Sequence, residues 1–305
     1  MNRVLPFFFA FIWCVSSAAT AIAQGNLPAT DIYLLSISKN EKGKYLVGEP
    51  EKITPWKGYD NQPYFLPDGT GLLYTSIRDS TKADIYKYTY QFAKTSQITH
   101  TPNTAEYSPM LMPDKSGISC VRVLEDDSTQ LFTKAMAHDE YVPIFAGLNP
   151  VGYYCWANSD VVAMFVLGEP QTLQLGYYKT GVIKKVGERI GRCLVRMPGK
   201  TSTGFYYVQF DEDSTSTTIN FYDLKTGKSS EIVAALPGAE DFGLMPDGTF
   251  LMGSEGVLYK YLPGTDKDWL SIAELEGTAV EKFYRIVVNP TGDKIALVTY
   301  PDERP

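Results

Sequence analysis

A short phrase recurs along the chain: an apolar residue followed by a Pro-Asp-Gly-type turn. It reads Leu66-Pro67-Asp68-Gly69, Met112-Pro113-Asp114-Lys115, Met197-Pro198-Gly199-Lys200, Met245-Pro246-Asp247-Gly248 and Asn289-Pro290-Thr291-Gly292. Successive prolines lie 46, 85, 48 and 44 residues apart, and the step of 85 holds two units with a degenerate phrase, Trp156-Ala157-Asn158-Ser159, between them. Six copies at a period of about 44 residues indicate a repeat architecture. In such folds one unit cannot bury its apolar face alone, and stacked neighbours make the core.

Each phrase joins two apolar runs. Tyr64-Phe65-Leu66 precedes the first turn, and Leu72-Leu73-Tyr74-Thr75 follows it. Pro in the turn presets φ, and Gly tolerates the left-handed conformation that lets a strand reverse. A second strand pair follows, Ala83 to Tyr88 and Thr95 to Thr99. One unit is therefore four short antiparallel strands. No sustained helical period competes, except a brief one around Trp269 to Glu276. Abundant Tyr (21) and Phe (15) agree with strands. The fold class expected is all-β: a six-bladed β-propeller of four-stranded antiparallel blades.

The spacing of Ile53-Thr54 to Pro67-Asp68-Gly69, of Ile98-Thr99 to Pro113-Asp114, and the third-strand opening Asp84-Ile85-Tyr86 carry a family likeness. Over roughly residues 30 to 305 the chain resembles the TolB-type six-bladed β-propeller family. That resemblance implies a propeller without the α/β domain that precedes it in the envelope protein naming the family, and without the serine-bearing α/β domain of its peptidase members. The blade occurs in envelope proteins, sensor domains and gating propellers, so the resemblance implies a fold and not one job.

The two ends complete one blade. Asp84 lies 17 residues after Pro67, and the same offset from Pro290 runs past residue 305. The missing third strand is matched by Asp31-Ile32-Tyr33-Leu34, followed by Lys44 to Ile53 as the fourth. The last blade is thus expected to be closed by N- and C-terminal strands, which removes exposed sheet edges. The blades expected are 58–99, 103–146, 149–187, 189–234 and 238–275, with 280–301 joined to 30–54. On this reading the propeller is complete, and a single domain covers 24–305.

Ahead of it stand Arg3, an apolar run from Leu5 to Val15, and Ala21-Ile22-Ala23 before Gln24. These are the parts of a secretory signal peptide over residues 1–23, too short and wrongly flanked for a membrane span. The protein expected is periplasmic or secreted, soluble and monomeric, with no span in the mature chain. A net charge of −7 with no basic block speaks against nucleic acid. Cys120, Cys155 and Cys193 lack metal-ligand spacing. They read as small buried hydrophobes in strands, although one disulfide is open to an exported chain.

No catalytic constellation is legible. There is no Gly-x-Ser-x-Gly elbow and no His pair at metal spacing, and the only histidines are His100 and His138. Carboxylate acid–base chemistry in the channel stays open. Two sets of positions remain. The loops between second and third strands are acidic, as at Glu125-Asp126-Asp127-Ser128 and Asp211-Glu212-Asp213-Ser214. They read as solvated hairpin tips or as a rim for Ca²⁺ or a cationic partner. The starts of the first strands supply Asn61, Gln62, Glu106, Tyr107, Tyr153, Arg192, Asp241, Lys282, Tyr284 and Arg285. Those ten are the candidate binding residues, since Tyr and Arg anchor interfaces. The function expected is a non-catalytic protein- or peptide-binding module of the cell envelope, without a cofactor. The alternative is a metal-dependent lactonase-like or carbohydrate-binding propeller.

Overall fold

The computed structural model describes residues 27–78, 82–136, 138–199 and 202–301. The leader expected over residues 1–23 lies outside them. Six antiparallel sheets follow one another along the chain. Blade 1 comprises Tyr59–Phe65, Gly71–Ile77, Asp84–Thr89 and Lys94–Gln97. Blade 2 comprises Ala105–Leu111, Gly117–Val123, Thr129–Ala135 and Tyr141–Pro143. Blades 3, 4 and 5 begin with Val151–Trp156, Ile190–Arg196 and Gly243–Leu244. Blade 6 begins with Arg285–Val288 and Lys294–Thr299.

The third strand of blade 6 comes from the other end of the chain. Asp31–Lys39 pairs with Lys294–Thr299 in the register Asp31↔Thr299 to Ser36↔Lys294. Its outer partner is split into Tyr45–Val47 and Glu51–Lys52. The break falls at Gly48-Glu49-Pro50, where Pro50 has no N–H to donate to a ladder. Lys52 Nζ then ties back to Asp31 Oδ2 at 2.7 Å. The sequence expectation of a blade closed by both termini is met.

The repeated phrase does what its chemistry predicts. Asp68, Asp114 and Asp247 each accept, through Oδ1, the backbone N–H two residues on, all at 3.0 Å. Gly69 and Gly248 take φ of +71° and +88°, and Lys115 takes +62° where Gly is absent. In the degenerate copy Asn158 Oδ1 accepts the N–H of both Asp160 and Val161 at 2.8 Å. These side chains are engaged in turns, not in a site.

Among the described residues the core forms six clusters, five lying mainly between two neighbouring blades and one spanning blades 1 to 3. Between blades 4 and 5, for example, Val208 and Ile219 meet Phe242, Phe250 and Met252. Cys120, Cys155 and Cys193 are buried free thiols within these clusters. Burial pushes the Cys155 thiol up to about 12. One expectation fails: the stretch around Trp269 to Glu276 is not helical. Leu270–Glu274 is the outer strand of blade 5, half-exposed and paired to Val257–Tyr261. Burial along this strand does not alternate residue by residue, so periodicity alone does not separate it from a helical turn. The only helical turn among the described residues is the 3-10 segment Tyr90–Phe92.

Candidate functional site

The first strands of all six blades line a central channel of about 800 Å³. One end is ringed by the starts of those strands, from Gln62 in blade 1 to Arg285 in blade 6, and the other by the repeated turns, including Pro67, Pro113, Pro198 and Pro290. Between them the walls are mostly apolar, with Met110, Leu194, Leu244 and Val287 among them. The charge on the lining opposes that of the whole chain. Among the described residues it carries Lys115, Arg192, Arg196 and Arg285, against the single carboxylate of Asp241. The chain overall is at −7.

The neck at the strand-start end is built by residues from facing blades. Arg192 donates from Nε to Asp241 Oδ2 at 2.7 Å, and from Nη2 to the Tyr284 carbonyl at 3.3 Å. Burial opposes the charge on Arg192, but the charge and hydrogen bond of Asp241, with Tyr153 and Glu240, together hold its pKa above the ordinary value. Arg285 extends from blade 6 to blade 3, across the ring. Its guanidinium carbon lies 5.4 Å from the centre of the Tyr153 ring, a cation–π distance. Arg285 forms no ion pair among the described residues. Its Nε is buried and without a hydrogen-bond partner there. Burial and the neighbouring Arg192 work against its charge, yet Asp241, Tyr153 and Tyr59 together keep its pKa raised. Tyr284 stacks on Tyr300, centroids 5.0 Å apart, and Tyr300 is half-exposed.

The ten candidate residues divide. Gln62, Tyr153, Arg192, Asp241 and Arg285 line the channel. Tyr284 stands directly behind it, through its contacts with Arg192 and with Asn61, whose Nδ2 donates to Tyr284 Oη at 2.7 Å. Gln62 also stitches blades 1 and 2: its Oε1 accepts Thr75 Oγ1 at 3.0 Å and the Ser108 N–H at 2.8 Å. Glu106 is fully buried and faces Arg122 Nε at 3.0 Å, with Thr101 and Thr104 also donating to it. Tyr107 is buried edge-on against Tyr59. Lys282 lies on a separate outer cleft beside Glu255, Glu276 and Glu281. The acidic loops cap themselves: Asp211 accepts from Thr215 and Ser216, and Asp126 from Ser128. Asp79 and Asp302 lie outside the described residues. No group of three His, Cys, Asp or Glu among the described residues is placed to hold a metal ion.

Two channel cations, Lys115 and Arg196, escaped the sequence reading. A signal for Arg196 was present. The residue before the repeated phrase lines the channel in every blade, as Phe65, Leu111, Cys155, Arg196, Leu244 and Val288. Arg196 is the one charged side chain in that series.

Solved structures share this architecture. A putative TolB from Agrobacterium tumefaciens aligns with a TM-score of 0.65 at 12% identity, covering 91% of this chain and 100% of that one. The fold is that of the TolB-type propellers. TolB from Acinetobacter baumannii aligns with a TM-score of 0.57 at 11% identity, over 90% of this chain and 65% of that one. This chain therefore spans slightly less than two thirds of that protein. An oligogalacturonate lyase from Vibrio parahaemolyticus aligns with a TM-score of 0.61 at 12% identity, covering 92% of both chains. At such identities the likeness is one of fold. No family model matches the sequence, and no curated protein matches it.

Proposed function

We propose that the chain is an exported, non-catalytic propeller that binds a protein or peptide at the strand-start mouth of its channel, in the cell envelope. The observation that carries this reading is the mouth itself. Arginines and tyrosines converge there on a largely apolar channel, the composition of interface anchors. The TolB-type neighbours support it at the level of fold. So does the composition of the leader, and no helix among the described residues is long and apolar enough to cross a membrane. Export predicts a mature chain beginning at Gln24, which mass spectrometry of the secreted or periplasmic protein reads directly.

The test of binding is site-directed crosslinking in cells. A photo-crosslinker at Tyr300, half-exposed beside Tyr284, is expected to capture a defined envelope protein. The same probe at Phe92, exposed on the 3-10 turn of blade 1, is the control. Equal capture from both positions would defeat the reading. Melting with millimolar Ca²⁺ and with EDTA separates the alternative. A metal-bound lactonase-like site would raise the midpoint by mass action, whereas a binding module is expected to be indifferent.

A further inference from the structure

The channel's charge and the unpaired guanidinium at its neck say what the ligand must carry. Four cations face one carboxylate on the lining, in a chain that is otherwise acidic. A concave, low-dielectric wall of one sign concentrates ligands of the other. The groups around Arg285 are Arg192, Asp241, Tyr59, Tyr153 and Tyr284. Asp241, the one anion among them, is engaged with Arg192 at 2.7 Å. Arg285 keeps a buried Nε–H with nothing to receive it among the described residues, and buried donors are rarely left so. Its planar fork suits a carboxylate, which can take two parallel N–H donors.

We propose that Arg285 is the anchor for a carboxylate of a bound peptide, with Arg192 beside it as the second cation and the peptide's apolar side chains running into the channel. This rests on the peptide-binding reading above. A peptide fits the lining better than an acidic sugar. Below the neck, apart from Arg196 and Lys115 toward the turns, the walls are mainly apolar, with Met110, Leu194, Leu244 and Val287 among them, a dry surface for an aliphatic side chain and a poor one for a sugar's hydroxyls. The carboxylate is either the peptide's C-terminus or an Asp or Glu side chain, and both present the same group to Arg285.

The experiment uses the full mature chain and a random octapeptide array displayed with free carboxyl termini. The strongest binders are then measured in solution by fluorescence polarisation in three forms: free acid, C-terminal amide, and with Asp and Glu exchanged for Asn and Gln. At least a tenfold loss on amidation assigns the C-terminus, and the same loss on the exchange assigns a side chain. R285Q is expected to bring the carboxylate peptide down to the affinity of its neutral form while leaving the neutral form unchanged. R285K is expected to keep part of the difference. Binders indifferent to both modifications, or an R285Q that weakens charged and neutral forms alike, overturn the proposal and leave the peptide-binding reading standing. An array with no binders overturns both, with or without binding of trigalacturonic acid. Should R285Q fail to fold, the peptide forms on the unaltered protein still decide whether a carboxylate is recognised, and R285K then decides the anchor: a carboxylate preference undiminished in R285K overturns the assignment to Arg285.

Discussion

Buried polar residues set the measurable behaviour at single positions. Asp60 is buried, its Oδ1 has no partner, and burial pushes its pKa up to about 6 from 3.8. The folded chain therefore holds a proton that the unfolded chain releases between those values. Stability from this group is fully present below about pH 4 and is lost as pH rises through about 6. D60N removes the titration, so it is expected to raise the melting midpoint at pH 8 and to flatten the fall between pH 4 and 6. A parallel pH profile in the variant would refute the assignment. Burial pushes the Glu106 carboxyl up as well, but Thr101 and Arg122, the latter at 3.0 Å, oppose that shift from inside the protein. R122A strands that carboxylate and is expected to cost about 3–5 kcal/mol by denaturant unfolding. The thiols of Cys120, Cys155 and Cys193 are buried. They are expected to resist Ellman's reagent until the protein unfolds, and rapid labelling of any of them in native buffer would contradict that burial.

At the scale of the element, strand pairing tolerates no side chain at certain glycines. A Cβ on Gly71 would lie 1.9 Å from the Tyr88 carbonyl oxygen, and one on Gly117 would lie 2.1 Å from that of Lys134. Both glycines open second strands, directly after the repeated turn, and both contacts are with backbone that cannot rotate away. G71A and G117A are therefore expected to lose about 2 kcal/mol or more. G69A, by contrast, meets only open space and is strained by its φ of +71° alone, so its cost should be nearer 1 kcal/mol. Chemical denaturation of the three variants ranks them, and an equal loss at all three would mean the clashes are relieved by backbone movement. The first strands carry a second device. The register slips between Asn61 and Tyr64 in blade 1, and between Tyr107 and Met110 in blade 2. Gln62 and Ser108 sit in those slips at φ of +55° and +52°. Such bulges re-aim side chains, and here they turn Gln62 toward the channel.

For the molecule as a whole, the N-terminal strand is what turns an open fan of sheets into a ring. Asp31–Lys39 supplies six paired positions to the C-terminal strand, and Thr30 also bridges to Tyr59 of blade 1. Its apolar side chains enter two clusters, Tyr33, Leu35 and Ile37 against blade 5, and Ile32 and Leu34 against blade 1. Deleting residues 30–54 would expose Lys294–Thr299 as an unpaired edge. The truncated chain is expected to aggregate and to lose its cooperative transition. Cooperative melting near the full-length midpoint would show that the closure carries little of the stability.

Blade number, hairpin chemistry and the closure by both termini were legible in the sequence, because each rests on local turn residues at a fixed period. Pro-Asp-Gly folds the same way wherever it occurs. The position of the channel residues was only half legible. Counting from the turns brought Tyr153, Arg192, Asp241 and Arg285 to the right end of the right strands. It could not separate them from Glu106 and Tyr107, which face the interior between blades. Strand faces alternate every residue, and a single bulged residue reverses every assignment beyond it. That slip depends on hydrogen bonds between strands, such as the Ser108 N–H to Gln62 Oε1, and no one segment contains both partners. The meeting of Arg285 with Tyr153 is likewise a property of the closed ring. The two lie 132 residues apart, from 153 to 285, and only six blades packed around one axis set them face to face.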